Sequence, residues 1–270
     1  MTDRYVVIGN PVGHSLSPLI HRLFADQTGR PLQYEALLAP LDGFVRMLQE
    51  FFGGGGTGVN VTLPFKEAAY DWVTEHDEYA GTAGAVNTIV AVGTGYLGCN
   101  TDGIGLVRDL TVNLGCTLTD KRVLILGAGG AVRGILGPLL GADPQCLVVA
   151  NRTAARARPL MDRFEDPRLR IADPEALDES FDIVINGTSA GLVGALPKVA
   201  PTAIVGSLVY DMVYGLNAQP FCNWALEHGA AQAVDGLGML VEQAAEAFLL
   251  WHDIRPDSAA VLRRLRETGQ

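Results

Sequence analysis

The sequence predicts an α/β protein of two domains, the second built on a doubly wound parallel sheet, with a cleft between them. Three observations predict it. Short β-branched runs alternate with amphipathic stretches along the chain, as in strands joined by helices. The length of 270 residues corresponds to about two domains at roughly 150 residues each. Near the middle, an apolar run enters a glycine cluster that opens a helix.

The elements follow in order. RYVVIG (4–9) reads as a strand, and Ser17-Pro18 opens a helix to about Thr28, with Ser17 as cap and Pro18 at the first position. QYEALL (33–38) is a strand, 41–52 has helical spacing, and Gly53–Gly56 is a loop. TGVNVT (57–62) is a strand, followed by Leu63-Pro64 and a helix from about Phe65. AVNTIVAV (85–92) and GYLGCN (95–100) form a hairpin across Gly93-Thr94, and a helix runs from near Asp102 to about Leu114. Residues 122–141 and 146–164 each read as strand, turn and helix. FDIVINGTSAG (181–191) and AIVGSLVYDMVY (203–214) hold two buried strands with polar loops after them. A helix at 217–228, a strand at 231–236 and helices at 237–251 and 257–267 complete the chain. The domains are expected at 1–103 and 104–236, with the helices of 237–270 returning to the first.

Composition excludes several classes. Thirty acidic against 20 basic residues leave a net charge of −10, which argues against nucleic acid as a partner. No run of 18 apolar residues exists, so no membrane span is expected, and MTDRYVVIGN is not a signal peptide. A cytoplasmic protein is therefore expected. The four cysteines form no CxxC and the five histidines no ligand spacing, so no metal is expected.

The glycine cluster is Gly127-Ala128-Gly129-Gly130-Ala131, directly after the strand 122–126. Glycines there let backbone approach a pyrophosphate, and the helix N-terminus adds free N–H groups and a positive dipole end. This makes the second domain Rossmann-like. Val132 stands where the fingerprint has its last glycine. The next strand ends in Asn151-Arg152-Thr153, with Arg156 a turn later. An NAD site places an acid there for the ribose hydroxyls. Two guanidiniums instead favour a 2′-phosphate, hence NADP, because cations in a helix's first turns oppose its dipole unless an anion is present.

Four motifs in the first domain are polar where packing alone would not require it. In His14-Ser15-Leu16-Ser17-Pro18, helix capping explains Ser17 but not Ser15. In Asn60-Val61-Thr62-Leu63-Pro64-Phe65-Lys66, strand alternation points Asn60 and Thr62 to one side and the turn delivers Lys66 nearby. A lysine at a helix start is disfavoured by the dipole, so a plain surface role does not account for it. Gly84-Ala85-Val86-Asn87-Thr88 places an asparagine in an apolar strand, and Asn100-Thr101-Asp102-Gly103 places an aspartate at a helix start, where it would stay anionic beside a lysine.

Together, SLSP, NVTLPFK, GAVNT, NTDG, GAGGA, NRTAARA, NGTSAG, DMVY (Asp211–Tyr214) and DGLGMLVEQAAEAF (235–248) resemble the shikimate dehydrogenase family in order and spacing, over essentially the whole chain. The resemblance implies NADPH-dependent, reversible reduction of 3-dehydroshikimate to shikimate in aromatic biosynthesis; the length is compatible with a monomer or homodimer. It implies Lys66 and Asp102 as the catalytic pair, and Ser15, Ser17, Asn60, Thr62, Asn87, Tyr214 and Gln243 as substrate ligands. It implies Gly127, Gly129, Gly130 and Ala131 as the pyrophosphate turn, and Asn151, Arg152, Thr153 and Arg156 as the 2′-phosphate clamp. Thr188, Met212 and Gly236 would wall the nicotinamide site. Three departures from the family pattern are small: Cys99 before NTDG, Gly187 for a common alanine, and the missing third glycine. A quinate/shikimate dehydrogenase with relaxed cofactor use would be expected to carry an acid near position 152, and a non-catalytic shikimate-binding sensor would be expected to lose Lys66 or Asp102.

Overall fold

The computed structural model describes residues 2–193 and 195–269; the side chains of Ala154, Arg156, Leu192 and Val193 lie outside the description. The chain folds into two compact units, Met1–Leu106 with Leu240–Gln270, and Val107–Met239.

The first unit holds six strands: β1 (Asp3–Gly9), β2 (Leu32–Leu38), β3 (Gly58–Val61), β4 (Glu75–His76), β5 (Thr88–Val92) and β6 (Gly95–Cys99). Their order is β2-β1-β3-β5-β6-β4. β1 lies parallel to both β2 and β3, whereas β5 runs antiparallel to β3 and β6, joined to β6 by the expected hairpin. The helices are α1 (Ser17–Thr28), α2 (Phe44–Gly53), α3 (Lys66–Trp72), α4 (Glu78–Ala83) and α5 (Asp102–Arg108). Ile8, Val59, Val61 and Ile89 from the sheet bury against Phe44, Leu48, Phe51 and Phe65. Residues buried on central strands read as apolar runs, which explains why 4–9 and 57–62 were legible as strands.

This mixed register gathers the polar motifs. The ends of β1 and β3 and the start of the reversed strand β5 share one end of the sheet, with Asn60 opposite Thr88 and Thr88 opposite Cys99. Segments leaving that end carry Ser15, Ser17, Thr62, Lys66 and Asp102.

The second unit holds β7 (Arg122–Leu126), β8 (Cys146–Ala150), β9 (Leu169–Ala172), β10 (Ile183–Asn186), β11 (Leu208–Asp211) and β12 (Gln232–Val234). All pair in parallel, in the order β12-β11-β10-β7-β8-β9. The chain runs outward from β7 in one direction, then returns to β10 and runs outward in the other. Such a reversal leaves a crevice at the carboxyl ends of the central strands. Its helices are α6 (Gly130–Gly141), α7 (Ala154–Phe164) and α8 (Gln219–Glu227). The boundary between the units falls inside α5–Asn113 and inside α9 (Leu237–His252); α10 (Ser258–Glu267) ends the chain.

Several elements differ from expectation. The stretch 203–214 is a strand only at Leu208–Asp211, and β4, α4 and β9 were not foreseen. The helix from Asp102 is α-helical to Arg108 and then widens into a π-helical turn at Asp109–Asn113. That turn carries the buried Asp109, whose carboxylate accepts from Tyr210 Oη at 2.6 Å and Asn113 Nδ2 at 2.9 Å. Ser17 is not the cap of α1: Leu16 holds that position, and Pro18 follows Ser17 inside the helix. The Ser17 hydroxyl instead accepts from Ser15 Oγ at 3.1 Å.

Candidate active site

In the first unit, α3 begins at Lys66 and α5 at Asp102. Lys66 Nζ donates to Asp102 Oδ2 at 2.5 Å, with only 13% and 7% of the two side chains exposed. Asn87 Nδ2 donates to the other carboxylate oxygen, Oδ1, at 2.8 Å. Asp102 therefore spends both oxygens on side chains and caps nothing. Its own N–H donates to Asn100 Oδ1 at 3.1 Å, and Asn100 Nδ2 is tied to Ala85 O at 2.8 Å.

Asn87 is saturated as well. Its Nδ2 also donates to Thr101 Oγ1 at 2.8 Å, and its Oδ1 accepts from Thr101 N at 2.9 Å and Thr88 Oγ1 at 2.9 Å. Gln243 lies at the edge of this cluster, its Oε1 at 3.5 Å from Asn87 Nδ2 and Thr101 Oγ1. Gly105 makes that approach possible, since a methyl group there would lie 2.7 Å from the Gln243 backbone nitrogen. Asn60 is buried, and protein partners take both its amide hydrogens: Nδ2 donates to Thr88 Oγ1 at 3.0 Å and Asn87 O at 3.3 Å. Its Oδ1 accepts from Tyr34 Oη at 2.7 Å. Ser15 and Thr62 are half-buried, and Gly9 makes room for the Thr62 methyl.

Residues that sequence reasoning missed complete the cluster. Tyr34 stacks on the buried His21 ring at 4.3 Å. Burial lowers the His21 imidazole to about 3, so it is neutral, and raises the Tyr34 phenol well above its ordinary value, so it keeps its proton. Asp77 caps α4 by accepting from Ala80 N at 2.6 Å, and its second oxygen accepts from Asn100 N at 3.3 Å. Thr88 and Thr101 were visible as polar residues inside GAVNT and NTDG. Nothing local marked Tyr34, whose partner Asn60 is 26 residues away.

In the second unit, the remaining expected residues follow the strand ends: Gly127 to Ala131 after β7, Asn151 to Thr153 after β8, Thr188 after β10, Met212 and Tyr214 after β11, Gly236 after β12. Gly127 has φ +105°, open only to glycine without strain, and a methyl group there would press on Gly187 backbone at 3.2 Å. Gly129 and Gly130 differ: a methyl group on either would meet no protein atom within 4 Å. The fold does not need these two glycines for its own packing, and the open backbone at the start of α6 suits a pyrophosphate. Asn186 Oδ1 accepts from Thr188 N at 3.0 Å and Thr188 Oγ1 at 2.7 Å. Asp211 Oδ1 accepts from Val213 N at 3.0 Å, and burial raises the Asp211 carboxyl to about 6. A methyl group at Gly236 would overlap Met212 O, so the two loops meet through bare backbone. Asn151 Nδ2 donates to Thr153 O at 2.8 Å, and Arg152 and Thr153 are exposed. The Arg156 side chain lies outside the described residues. No acid occupies the end of β8, and an exposed Arg152 does, so the residues present fit NADP.

Comparison with known proteins agrees along the whole chain. Residues 7–89 match the shikimate dehydrogenase substrate binding domain, residues 110–193 the shikimate / quinate 5-dehydrogenase model, and residues 236–266 the shikimate 5′-dehydrogenase C-terminal domain. Shikimate dehydrogenase (NADP(+)) of Alkalilimnicola ehrlichii is 54% identical, over 98% of this chain and 99% of that protein. The crystal structure of an Ael1 enzyme from Pseudomonas putida superposes with a TM-score of 0.91 at 46% identity, covering 98% of each chain. That of shikimate 5-dehydrogenase from Thermus thermophilus, in complex with NADP(H) and shikimate, does so with 0.84 at 33% identity, over 98% and 99%. With its motifs on two α/β units and its relatives matched from end to end, the chain belongs to the shikimate dehydrogenase family.

Proposed function

We propose that the chain catalyses the reversible, NADPH-dependent reduction of 3-dehydroshikimate to shikimate in aromatic biosynthesis. The observation that carries this reading is the buried Lys66–Asp102 pair, held from behind by Asn87 at one end of the first sheet. The first unit takes the substrate, with residues 240–270 part of it, and the second takes the cofactor. NADPH, when bound, supplies the hydride.

The chain's own residues do the rest. Ser15, Ser17, Thr62, Gln243 and Tyr214 hold the substrate's carboxylate and hydroxyls, which neutral donors can satisfy without a bidentate arginine. Asn60 and Asn87, which the family resemblance places among the substrate ligands, have their amide hydrogens committed to protein partners and serve instead by fixing Thr88 and Asp102. As the ring ketone becomes an alkoxide, Lys66 donates a proton to it, and Asp102 orients the ammonium and accepts from a substrate hydroxyl. Excluding water around this pair strengthens both interactions. Gly127, Gly129, Gly130 and Ala131 cradle the pyrophosphate; Asn151, Arg152, Thr153 and Arg156 receive the 2′-phosphate. Thr188, Met212 and Gly236 line the nicotinamide. The enzyme works in the cytoplasm, as a monomer or homodimer.

The test is reduction of cofactor followed at 340 nm, with shikimate and quinate each offered with NADP and NAD. Fast turnover only with shikimate and NADP is expected. Comparable turnover with quinate would move the chain to the quinate/shikimate branch, and comparable turnover with NAD would also refute the role given to Arg152. Absence of turnover with every pair, despite ligand binding, would replace the enzyme with a shikimate-binding sensor.

A further inference from the structure

Five hydrogen bonds of the first unit form one continuous chain. Tyr34 Oη donates to Asn60 Oδ1 (2.7 Å), Asn60 Nδ2 to Thr88 Oγ1 (3.0 Å), Thr88 Oγ1 to Asn87 Oδ1 (2.9 Å), and Asn87 Nδ2 to Asp102 Oδ1 (2.8 Å). Asp102 Oδ2 then receives Lys66 Nζ. Four of these five donors belong to neutral groups, and every hydrogen points toward the carboxylate.

The direction is forced by a backbone group. Thr101 N–H can only donate, and it points at Asn87 Oδ1 from 2.9 Å. The Asn87 amide is therefore fixed with its nitrogen on Asp102. Thr88 Oγ1, facing the same Oδ1, must donate to it, so its lone pair is left for Asn60 Nδ2. The Asn60 oxygen then faces Tyr34, which must donate. The Asn87 backbone carbonyl, accepting from Asn60 Nδ2 at 3.3 Å, agrees with this orientation. Hydrogen bonds aligned head to tail polarise one another, and inside a protein the effect is larger than in water. Thr88 is fully buried, so no solvent replaces its hydroxyl if it is lost.

We infer that Tyr34 and Thr88 are positioning residues of the reaction: through Asn60 and Asn87 they hold the Asp102 carboxylate in place against Lys66. Neither needs to touch substrate. The Tyr34 ring is itself held by stacking on His21. The inference rests on the shikimate dehydrogenase reading above.

Steady-state kinetics with shikimate and NADP on Thr88→Val, Thr88→Ser and Tyr34→Phe test it, with a melting curve for each. Thr88→Val keeps the methyl and loses the hydroxyl; Thr88→Ser does the opposite. Thr88→Val, which removes two hydrogen bonds of the chain, is expected to lower kcat about tenfold, and Tyr34→Phe, which removes one, about threefold. KM for NADP is expected to stay at the wild-type value in all three. Thr88→Ser is expected to keep kcat within about twofold of wild type. A Thr88→Ser loss as large as that of Thr88→Val would make the methyl contact the relevant one and overturn the proposal. So would wild-type kcat in Thr88→Val and Tyr34→Phe. Should Thr88→Val fail to fold, Tyr34→Phe and Thr88→Ser decide by the same criteria. Wild-type protein without turnover would defeat the function itself and the relay with it. An active wild type with unchanged variants would defeat the relay alone.

Discussion

The two units prepare for their ligands in opposite ways. In the first, the polar groups are already spent on one another: Asp102 has three side-chain and backbone attachments, and Asn87 is saturated. In the second, the notable feature is what the chain leaves bare, with two glycines whose missing side chains would touch nothing and an exposed arginine at the end of β8. Catalytic groups must be rigid before the reaction, because reorganising them during it raises the barrier. A pyrophosphate needs room and unpaired N–H groups, which only uncovered backbone provides.

The largest break in that comparison is removal of the lysine. Lys66→Ala is expected to lower kcat at least about a hundredfold, with a smaller change in KM for shikimate, since positioned proton transfer is worth that much. Stopped assays at saturating NADP would check it, and near wild-type turnover would take Lys66 out of the chemistry.

A stability effect in the second unit comes next. Gly187 is packed, unlike Gly129: a methyl group on it would overlap the Cγ2 of buried Val132 and lie 3.2 Å from Met212 Sδ. Gly187→Ala is expected to cost about 1–3 kcal/mol, the usual range for overpacking. Adding Val132→Ala is expected to return part of it. Urea melts of both single variants and the double would show non-additivity, and a strictly additive result would contradict the contact.

The glycine turn sharpens the contrast. Gly129→Ala is expected to raise KM for NADP about tenfold or more by blocking approach to the backbone, with an unchanged melting temperature. Gly127→Ala, with φ +105° and a neighbour at 3.2 Å, is expected to lower the melting temperature as well. Equal melting temperatures for the two variants would remove the distinction.

The smallest effect is a pair of pH dependences of opposite sign. Burial raises Asp211 from 3.8 to about 6, so the folded state favours its protonated form. The cost of ionising it in the fold is absent below pH 3.8 and develops as pH rises to about 6. Burial lowers His21 from 6.5 to about 3, so its contribution is lost as pH falls from 6.5 toward 3. Relative to wild type, Asp211→Asn is expected to gain stability as pH rises through the first window. His21→Phe is expected to gain it as pH falls through the second. Chemical denaturation between pH 4 and 7, about the span of both windows, would show either trend or its absence.

Legibility in the sequence followed the same division. The parallel strands of the second unit, buried on both faces, stand out as apolar runs, and the glycine turn marks its own position. β4 and α4 are two and six residues long, too short to carry a period, although Asp77 is an ordinary cap signal in retrospect. β9 is an edge strand in a charged stretch. Lys66 and Asn87 were legible because each is polar in a place where the helix dipole or the strand pattern disfavours it, whereas Asp102, favoured at a helix start, was legible only through the NTDG motif. Tyr34 was not, because an aromatic residue in a strand needs no explanation until its hydroxyl is seen to meet Asn60. Ser17 was misread as a cap because Ser-Pro commonly opens helices, and only the backbone shows the cap one residue earlier.

The fit of Val132 against Gly187 also constrains the order in which the two positions can change. A chain with alanine at both could reach the present pair by two single steps. The path through alanine at 187 with valine at 132 passes through an overlap of buried atoms, whereas the path that first clears residue 187 does not. Two substitutions that are each acceptable are thus not interchangeable in time, and a descendant holding Val132 has lost the simple way back to a side chain at 187.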